Sequence, residues 1–422
     1  MLLKLKKVGY NTFSSLKKHN FRLYFIGQII SVPGGWMQNI ALSWLVLQLT
    51  NSGTALGVVA ALQYFPILLL SPFAGSIIDK FSKRKILYIT QSVSGVLAII
   101  LGYLTIIGEV RLWMIFLIAL LIGFVNTVDI PTRQVFVSEM VGEDELKNAI
   151  TLNSMLMNLS RIVGPTIAGI VIVTAGIGPC FIVNGISFLA FIFVVFIMRS
   201  SELHKARKSE VKGRLFEGFY YIISKPTMKV ALLLMMIMGT LSYEFSVSLA
   251  LLAQKTFHGD ARDFAGMLAI MGVGAIFSGM ISARSKKIRS SILVGSAFFF
   301  GFFIIGASIA PNIAISLTML LIVGFFSLSF MTAGSATMQL NTPPELRGRV
   351  MVFWTMAFSG STAVGGPIIG WVGQHLGPRW GLGVGGFAAV FAAVLGMMIL
   401  ERNGIKFFVS EKNEKELAGI SA

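Results

Sequence analysis

Three ionisable side chains stand inside long apolar runs: Asp129, Arg161 and Glu244. A charge at the centre of a bilayer costs roughly 2.5–3.5 kcal/mol even on a mild insertion scale, so such residues mark functional sites by default. Glu244 has Thr240 and Ser248 four residues to either side, with Tyr243 next to it. On a continuous helix the three share a face, which reads as a stripe on a wet cavity. A carboxyl held away from bulk water favours its neutral form, as a proton carrier must, so Glu244 is the first candidate for proton coupling. Arg161 shares a face with Ser154, Asn158 and Pro165 and suits an anionic or polar substrate, or an ion pair with Glu244 or Asp129. Asp129 is the second candidate for proton coupling, although Arg133 one turn later points to local pairing. In the first apolar run Gln28, Ser31, Gly35 and Asn39 project to one side, flanked by Trp36 and Gln38.

The composition decides the medium in which these groups act. The 422 residues are 55% hydrophobic and 13% charged, with mean hydropathy +0.80, against about 25% charged in soluble domains. A soluble chain with a net charge of +17 would suggest nucleic acid. Here the cations are spread over several polar segments between apolar runs, so no nucleic-acid partner is expected. The single cysteine, Cys180, excludes an intramolecular disulfide or a cysteine-based metal cluster, and His19, His204, His258 and His375 have no metal-ligand spacing. Gly381, Gly383 and Gly386 match a dinucleotide-binding pattern but lie in an apolar run with no preceding strand, so they read as packing. No P-loop, cysteine nucleophile or appended soluble domain supports a membrane-embedded enzyme or sensor.

A bilayer core of about 30 Å needs roughly 20 apolar residues of helix. Twelve such runs are expected: 22–49, 55–78, 85–108, 111–132, 146–176, 179–199, 227–254, 262–283, 290–310, 312–336, 348–375 and 378–401. With alternate loops assigned to opposite sides, only Arg111, Lys255, Arg262 and Arg379 fall opposite the N-terminus, and Arg161 lies within a span. Every other Lys and Arg falls on the N-terminal side, which the positive-inside rule makes cytoplasmic. The whole formal charge of +17 then sits on that face. Both termini are expected there, with no cleaved signal peptide. The one long polar linker, 200–226, divides the spans six and six. Val211, Leu215, Phe219 and Ile222 recur in it at helical spacing, which predicts a connector helix on the membrane surface. The expected units are therefore residues 1–199, the linker 200–226, and residues 227–422.

The two halves echo each other. Gly164-Pro165-x-x-x-Gly169 in the fifth run matches Gly366-Pro367-x-x-Gly370 in the eleventh, and GSIIDKFSKRK from Gly75 has a degraded copy, GMISARSKK, from Gly279. Repeated six-span halves related by an axis along the membrane normal are an architecture of secondary transporters. The segment Gly75-x-x-x-Asp79-Lys80-x-x-Lys83-Arg84-Lys85 resembles the signature of the major facilitator superfamily, with Ser82 where a second glycine is usual. The Gly164-Pro165 segment resembles the antiporter motif of drug exporters, without that motif's upstream glycines. WMQNIALSWLVLQLT, DIPTRQVFVSEMV, NSMLMNLSRIVGPTIAG and PPELRGRVM are similar to the exporter branch that includes the enterobactin exporter and macrolide efflux proteins.

The resemblance implies an all-α integral membrane fold of twelve helices in two six-helix pseudo-repeats. It implies a gate at Gly75, Asp79, Lys80 and Arg84, with Arg133 at the end of the fourth span and the start of the eleventh span as its partners. Topology alone also accounts for the cations. Gly164, Pro165, Gly366 and Pro367 are expected to bend helices where the halves meet, as gating or as plain packing. Because spans one, four, seven and ten line the cavity in this superfamily, Gln38, Asn39, Asn126 and Tyr243 join Arg161 as candidate substrate contacts. The expected function is proton-coupled export of lipophilic or amphipathic small molecules by a monomer in a bacterial plasma membrane, with no cofactor beyond the proton gradient. Uptake, facilitated diffusion and lipid translocation fit the same fold.

Overall fold

The computed structural model describes residues 13–204, 216–282, 290–343 and 345–405, apart from the side chains of Pro72, Ala74, Ser76, Asp79 and Ser282. The expected linker positions Val211 and Leu215 and all four cations of the run after the eighth span, Arg284, Lys286, Lys287 and Arg289, lie outside them. No strand occurs among the described residues. In lipid only internal hydrogen bonds can satisfy a backbone, and helices do this within one segment. The helices before the linker are α1 (His19–Thr50), α2 (Gly53–Lys80), α3 (Lys83–Ile106), α4 (Leu112–Ala175) and α5 (Gly178–Ile197). The linker carries α6 (Phe216–Ser224). After it come α7 (Pro226–Leu241), α8 (Phe245–Leu251), α9 (Ala261–Ser282), α10 (Ser290–Ile309), α11 (Ile313–Leu340), α12 (Arg347–Thr355), α13 (Thr362–His375) and α14 (Pro378–Arg402).

Ten helical segments among the described residues are long and apolar enough to cross a membrane. Helix α1 is not one of the ten, and α4, at 64 residues, is counted once. At 1.5 Å per residue α4 contains about 96 Å of helix, roughly three bilayer cores. It is two limbs, broken where Gly142 adopts φ 72°, a left-handed conformation that glycine enters without penalty. The loop expected between runs four and five is therefore helical almost to the break. The start of the linker returns to this point, with the His204 N–H donating to the Glu139 carbonyl at 2.8 Å.

The runs expected as spans seven and eleven are not continuous helices. Between α7 and α8 the Ser242 and Tyr243 N–H groups both donate to Met238 O, and Glu244 sits at φ −80°, ψ 44°. The Ser242 hydroxyl donates to the Gly385 carbonyl of α14 at 2.6 Å, drawing the break onto that helix. A wide π-type turn, Met356–Gly360, separates α12 from α13.

The helices before and after the linker meet mainly along α2 with α13 and α4 with α9. Glycines permit this. A Cβ on Gly57 would run into the Gly366 carbonyl of α13, and one on Gly370 into the Gly53 carbonyl of α2. The contact persists from Gly53 to Leu68, which packs under Gly360. Near the other end of α2, a Cβ on Gly75 would have no described atom within 4 Å beyond its own helix. The second limb of α4 behaves alike, with Gly169 against Arg262 and Ala265 of α9 and Gly272 of α9 against Arg161 and Ile162.

The bundle is thus closed at one end and parted at the other. At the closed end a polar clasp joins the groups. Gln374 Oε1 accepts from Gly53 N at 2.8 Å and from Lys255 Nζ at 3.1 Å, and Lys255 Nζ also donates to Asn51 O at 3.0 Å. The parted end carries the described chain ends and most of the cations. There Ser14 donates to Glu145 at 2.5 Å, Arg84 to Ser200 at 2.6 Å, and Arg349 pairs with Glu217 of α6. Large apolar side chains such as Phe193, Phe196, Met280 and Phe391 stand exposed on the outside, as lipid-facing positions do.

Overpacking a tight contact costs on the order of 1–3 kcal/mol. Gly57→Leu should therefore lower the melting midpoint of the detergent-purified protein, whereas Gly75→Leu should leave it unchanged. Equal midpoints for the two variants would contradict the one-ended closure.

Candidate functional site

A cavity of about 340 Å³ lies where α1, α2, α4, α8, α9, α11 and the turn before α13 converge. Its walls are mostly apolar, with Trp36, Tyr64, Tyr243, Phe245, Phe264 and Phe358 as the aromatic members. Asn39, Ser246, Ser327, Ser359 and Thr362 supply polar groups, and Arg161 is the only charged residue among the described lining. A second hollow follows α11 from Met331 to Leu340, extending the space toward the parted end.

Local packing places each group. The Gly164-Pro165 pair brings the second limb of α4 against α1, because a Cβ on Gly164 would collide with Trp36 Cβ and the Pro33 carbonyl. This sets the Arg161 guanidinium over the Trp36 ring, 5.6 Å from its centroid. Pro165 itself lines the cavity. Gly164 therefore packs within its own group of helices rather than against the other, unlike Gly366, which does meet α2. Pro367 follows on that interface, against Gly57. Arg161 makes no ion pair among the described residues, so the expected alternative of a bond to Glu244 or Asp129 is not realised. Tyr243 lines the cavity, donates to Ser327 O at 3.2 Å and stacks on Phe300 at 5.0 Å.

Glu244 does not face the cavity as its stripe suggested. It is 2% exposed, and Oε1 is buried with no hydrogen-bond partner. The carboxyl lies against Gly365 of α13 and faces the Thr362 hydroxyl, and Thr362 in turn lines the cavity. The stripe assumed a continuous helix. The break rotates Ser246 into the wall instead, while the Thr240 and Ser248 hydroxyls donate to the carbonyls of Met236 and Glu244.

Other candidates are placed differently. Asn39 lines the cavity, but Gln38, 9% exposed, accepts from Asn184 Nδ2 at 2.6 Å and ties α1 to α5. Asn126 is half-buried and is not part of the lining. Asp129 is fully engaged: it accepts from Thr90 at 2.5 Å, Gln91 at 2.8 Å and Arg133 at 2.7 Å. Arg133 also covers the Phe191 ring at 4.4 Å. The Asp129 carboxylate is thus a structural counter-ion in this conformation. Arg84 serves its own group, donating to Phe196 O at 2.7 Å, and Lys80 is exposed. Tyr64 and Thr362 were not among the sequence candidates. Tyr64 lies in a run with no charged neighbour, between Gln63 and Phe65, and the phase of α13 depends on the π-type turn, which leaves no simple signature.

A cavity near the middle of an apolar helical bundle, parted at one end, is the geometry of a carrier. The profile of transmembrane secretion effectors, MFS_3, matches residues 10–412. The chain belongs to that family of the major facilitator superfamily. It is similar to the staphyloferrin A transporter of Staphylococcus aureus, 26% identical over 78% of this chain and 84% of the relative. It is also similar to the enterobactin exporter EntS of Citrobacter koseri, 21% identical over 92% and 93%. Among solved structures, a bacterial homologue of the human lysosomal transporter Spinster, inward-facing and unoccupied, aligns with TM-score 0.70 at 13% identity over 93% of this chain and 99% of that one. The nucleoside transporter NupG aligns with TM-score 0.71 at 12% identity, over 90% and 99%. These structures share the fold. The protein is a multi-pass membrane transporter of small molecules and not an enzyme, and its family requires no cofactor.

Removing one partner of a buried ion pair typically costs about 3–5 kcal/mol, because the other charge is stranded. Asp129→Asn should sharply reduce folded yield, and the double change Asp129→Asn with Arg133→Met should restore part of it. A double variant worse than the single would refute the structural role of this pair.

Proposed function

We propose that the protein exports lipophilic or amphipathic small molecules, of siderophore or drug type, in exchange for protons across a bacterial plasma membrane. Counting α1 and both limbs of α4 gives twelve crossings in two six-helix repeats joined by the linker. Matching packing supports the repeat: α3 lies on α5 as α10 lies on α14, and α2 on α4 as α9 on α11. The cation-rich, parted end is then cytoplasmic, with both termini.

The observation that carries the reading is a buried carboxyl, Glu244, whose Oε1 accepts no hydrogen bond and which lies one side chain, Thr362, away from a cavity that continues toward the cytoplasmic end. Substrate enters from the cytoplasm and rests among Asn39, Tyr64, Arg161 and Tyr243. Rocking about the α2–α13 and α4–α9 contacts then parts the far end. A proton arriving from outside neutralises Glu244, and its release past Thr362 into the inward-open cavity resets the cycle. The names of the two siderophore-handling relatives support the substrate type and, for the exporter, the direction.

Reconstituted protein should drive substrate movement when a pH gradient is imposed. Glu244→Gln should lower gradient-driven flux roughly tenfold or more while substrate exchange without a gradient persists. Full gradient coupling in Glu244→Gln would remove Glu244 from the mechanism.

A further inference from the structure

We propose that the cavity selects organic anions, specifically molecules joining a planar aromatic ring to one carboxylate-like charge, with Arg161 as the residue that reads the charge. This deepens the transport reading above and rests on it for the direction of movement only. The inference starts from an imbalance. Arg161 is the sole charged residue in the described lining, and no acid among the described residues pairs with it. The nearest carboxyl candidate, Glu244, lies behind the wall against Gly365. A guanidinium kept away from bulk water without a counter-ion is costly, and a ligand that brings its own negative charge removes that cost.

The geometry around Arg161 fits such a ligand. Its guanidinium carbon lies over the Trp36 ring, 5.6 Å from the centroid, and its N–H groups bond no described residue, which leaves them for a bidentate acceptor. Tyr64 and Asn39 line the same cavity and make no side-chain hydrogen bond to a described residue, so both are available to donate to a ligand. The Tyr243 hydroxyl already donates to Ser327 O and therefore contributes its ring. Phe245, Phe264 and Phe358 complete a wall suited to stacking on a flat ring. Aromatic walls also attract organic cations, but here an uncompensated positive charge stands among them and repels that class.

Equilibrium binding to the purified, detergent-solubilised full chain tests this with three matched probes: radiolabelled 2-naphthoate, its neutral amide and 2-naphthylmethylamine. Naphthoate should bind at least about tenfold more tightly than the amide, as expected for charge-assisted hydrogen bonds, and the amine most weakly. Arg161→Gln should abolish the preference of naphthoate over the amide, and Arg161→Lys should keep part of it. Equal binding of naphthoate and the amide by the unaltered protein, or preference for the amine, overturns the proposal whether or not the Arg161 variants fold. An undiminished preference in a folded Arg161→Gln variant also overturns it. Anion-selective binding with no flux in vesicles would instead refute the transport reading, and flux confined to neutral or cationic compounds would refute the anion selectivity alone.

Discussion

The close approach of α2 and α13 is the contact on which the rest of the structure depends. Gly57 and Gly366 let two backbones touch where any side chain would hold them apart. That contact closes one end of the bundle. It also fixes α13 so that Gly365, on its other side, lies against the Thr240 carbonyl and the Glu244 carboxyl. In lipid, helix association has little hydrophobic drive and relies on such packing. A small-residue seam can slide or part with modest loss, which a contact built from interlocked large side chains could not do.

The irregular backbone is concentrated after the linker. The break between α7 and α8, the π-type turn at Leu252–Thr256 and the second at Met356–Gly360 all occur there. Non-helical backbone at membrane depth is tolerated where it is buried in protein or lines a cavity, and the break before α8 meets both conditions. The helices before the linker are stitched by side-chain bonds instead, such as Gln38 with Asn184 and Asp129 with Thr90, Gln91 and Arg133. One group of helices is therefore the stiffer frame, and the other carries the bends.

Most of the architecture was legible because its causes are local. Apolar run length, charge asymmetry and the Gly-Pro repeats each reflect one segment meeting lipid or a neighbouring helix. Asn39, Tyr243 and Arg161 were legible as cavity residues for the same reason, since polar groups in a span need somewhere wet to face, whereas Pro165, expected as a bend, also lines the cavity. Glu244 was found as an exception to apolar patterning, but its orientation was not. A helical-wheel argument holds only while the helix is unbroken, and Ser242 breaks this one by bonding a carbonyl more than a hundred residues away. Gln38 and Asp129 show the converse. Partners on other helices tie both into the structure, Asn184 for Gln38 and Thr90 with Gln91 for Asp129, although the Asp129–Arg133 pair itself was expected from its spacing.

The clasp at the closed end uses one ammonium, Lys255, and neutral oxygens from Asn51 and Gln374. Neither partner carries a charge, so opening the clasp strands no anion. Water can replace each bond one for one at the bilayer boundary. Opening the clasp therefore costs little at this point, because water offers each group an equivalent partner. A lock of this kind does not hold the molecule in one state; it keeps an empty carrier from leaking while leaving its turnover to be set by cargo.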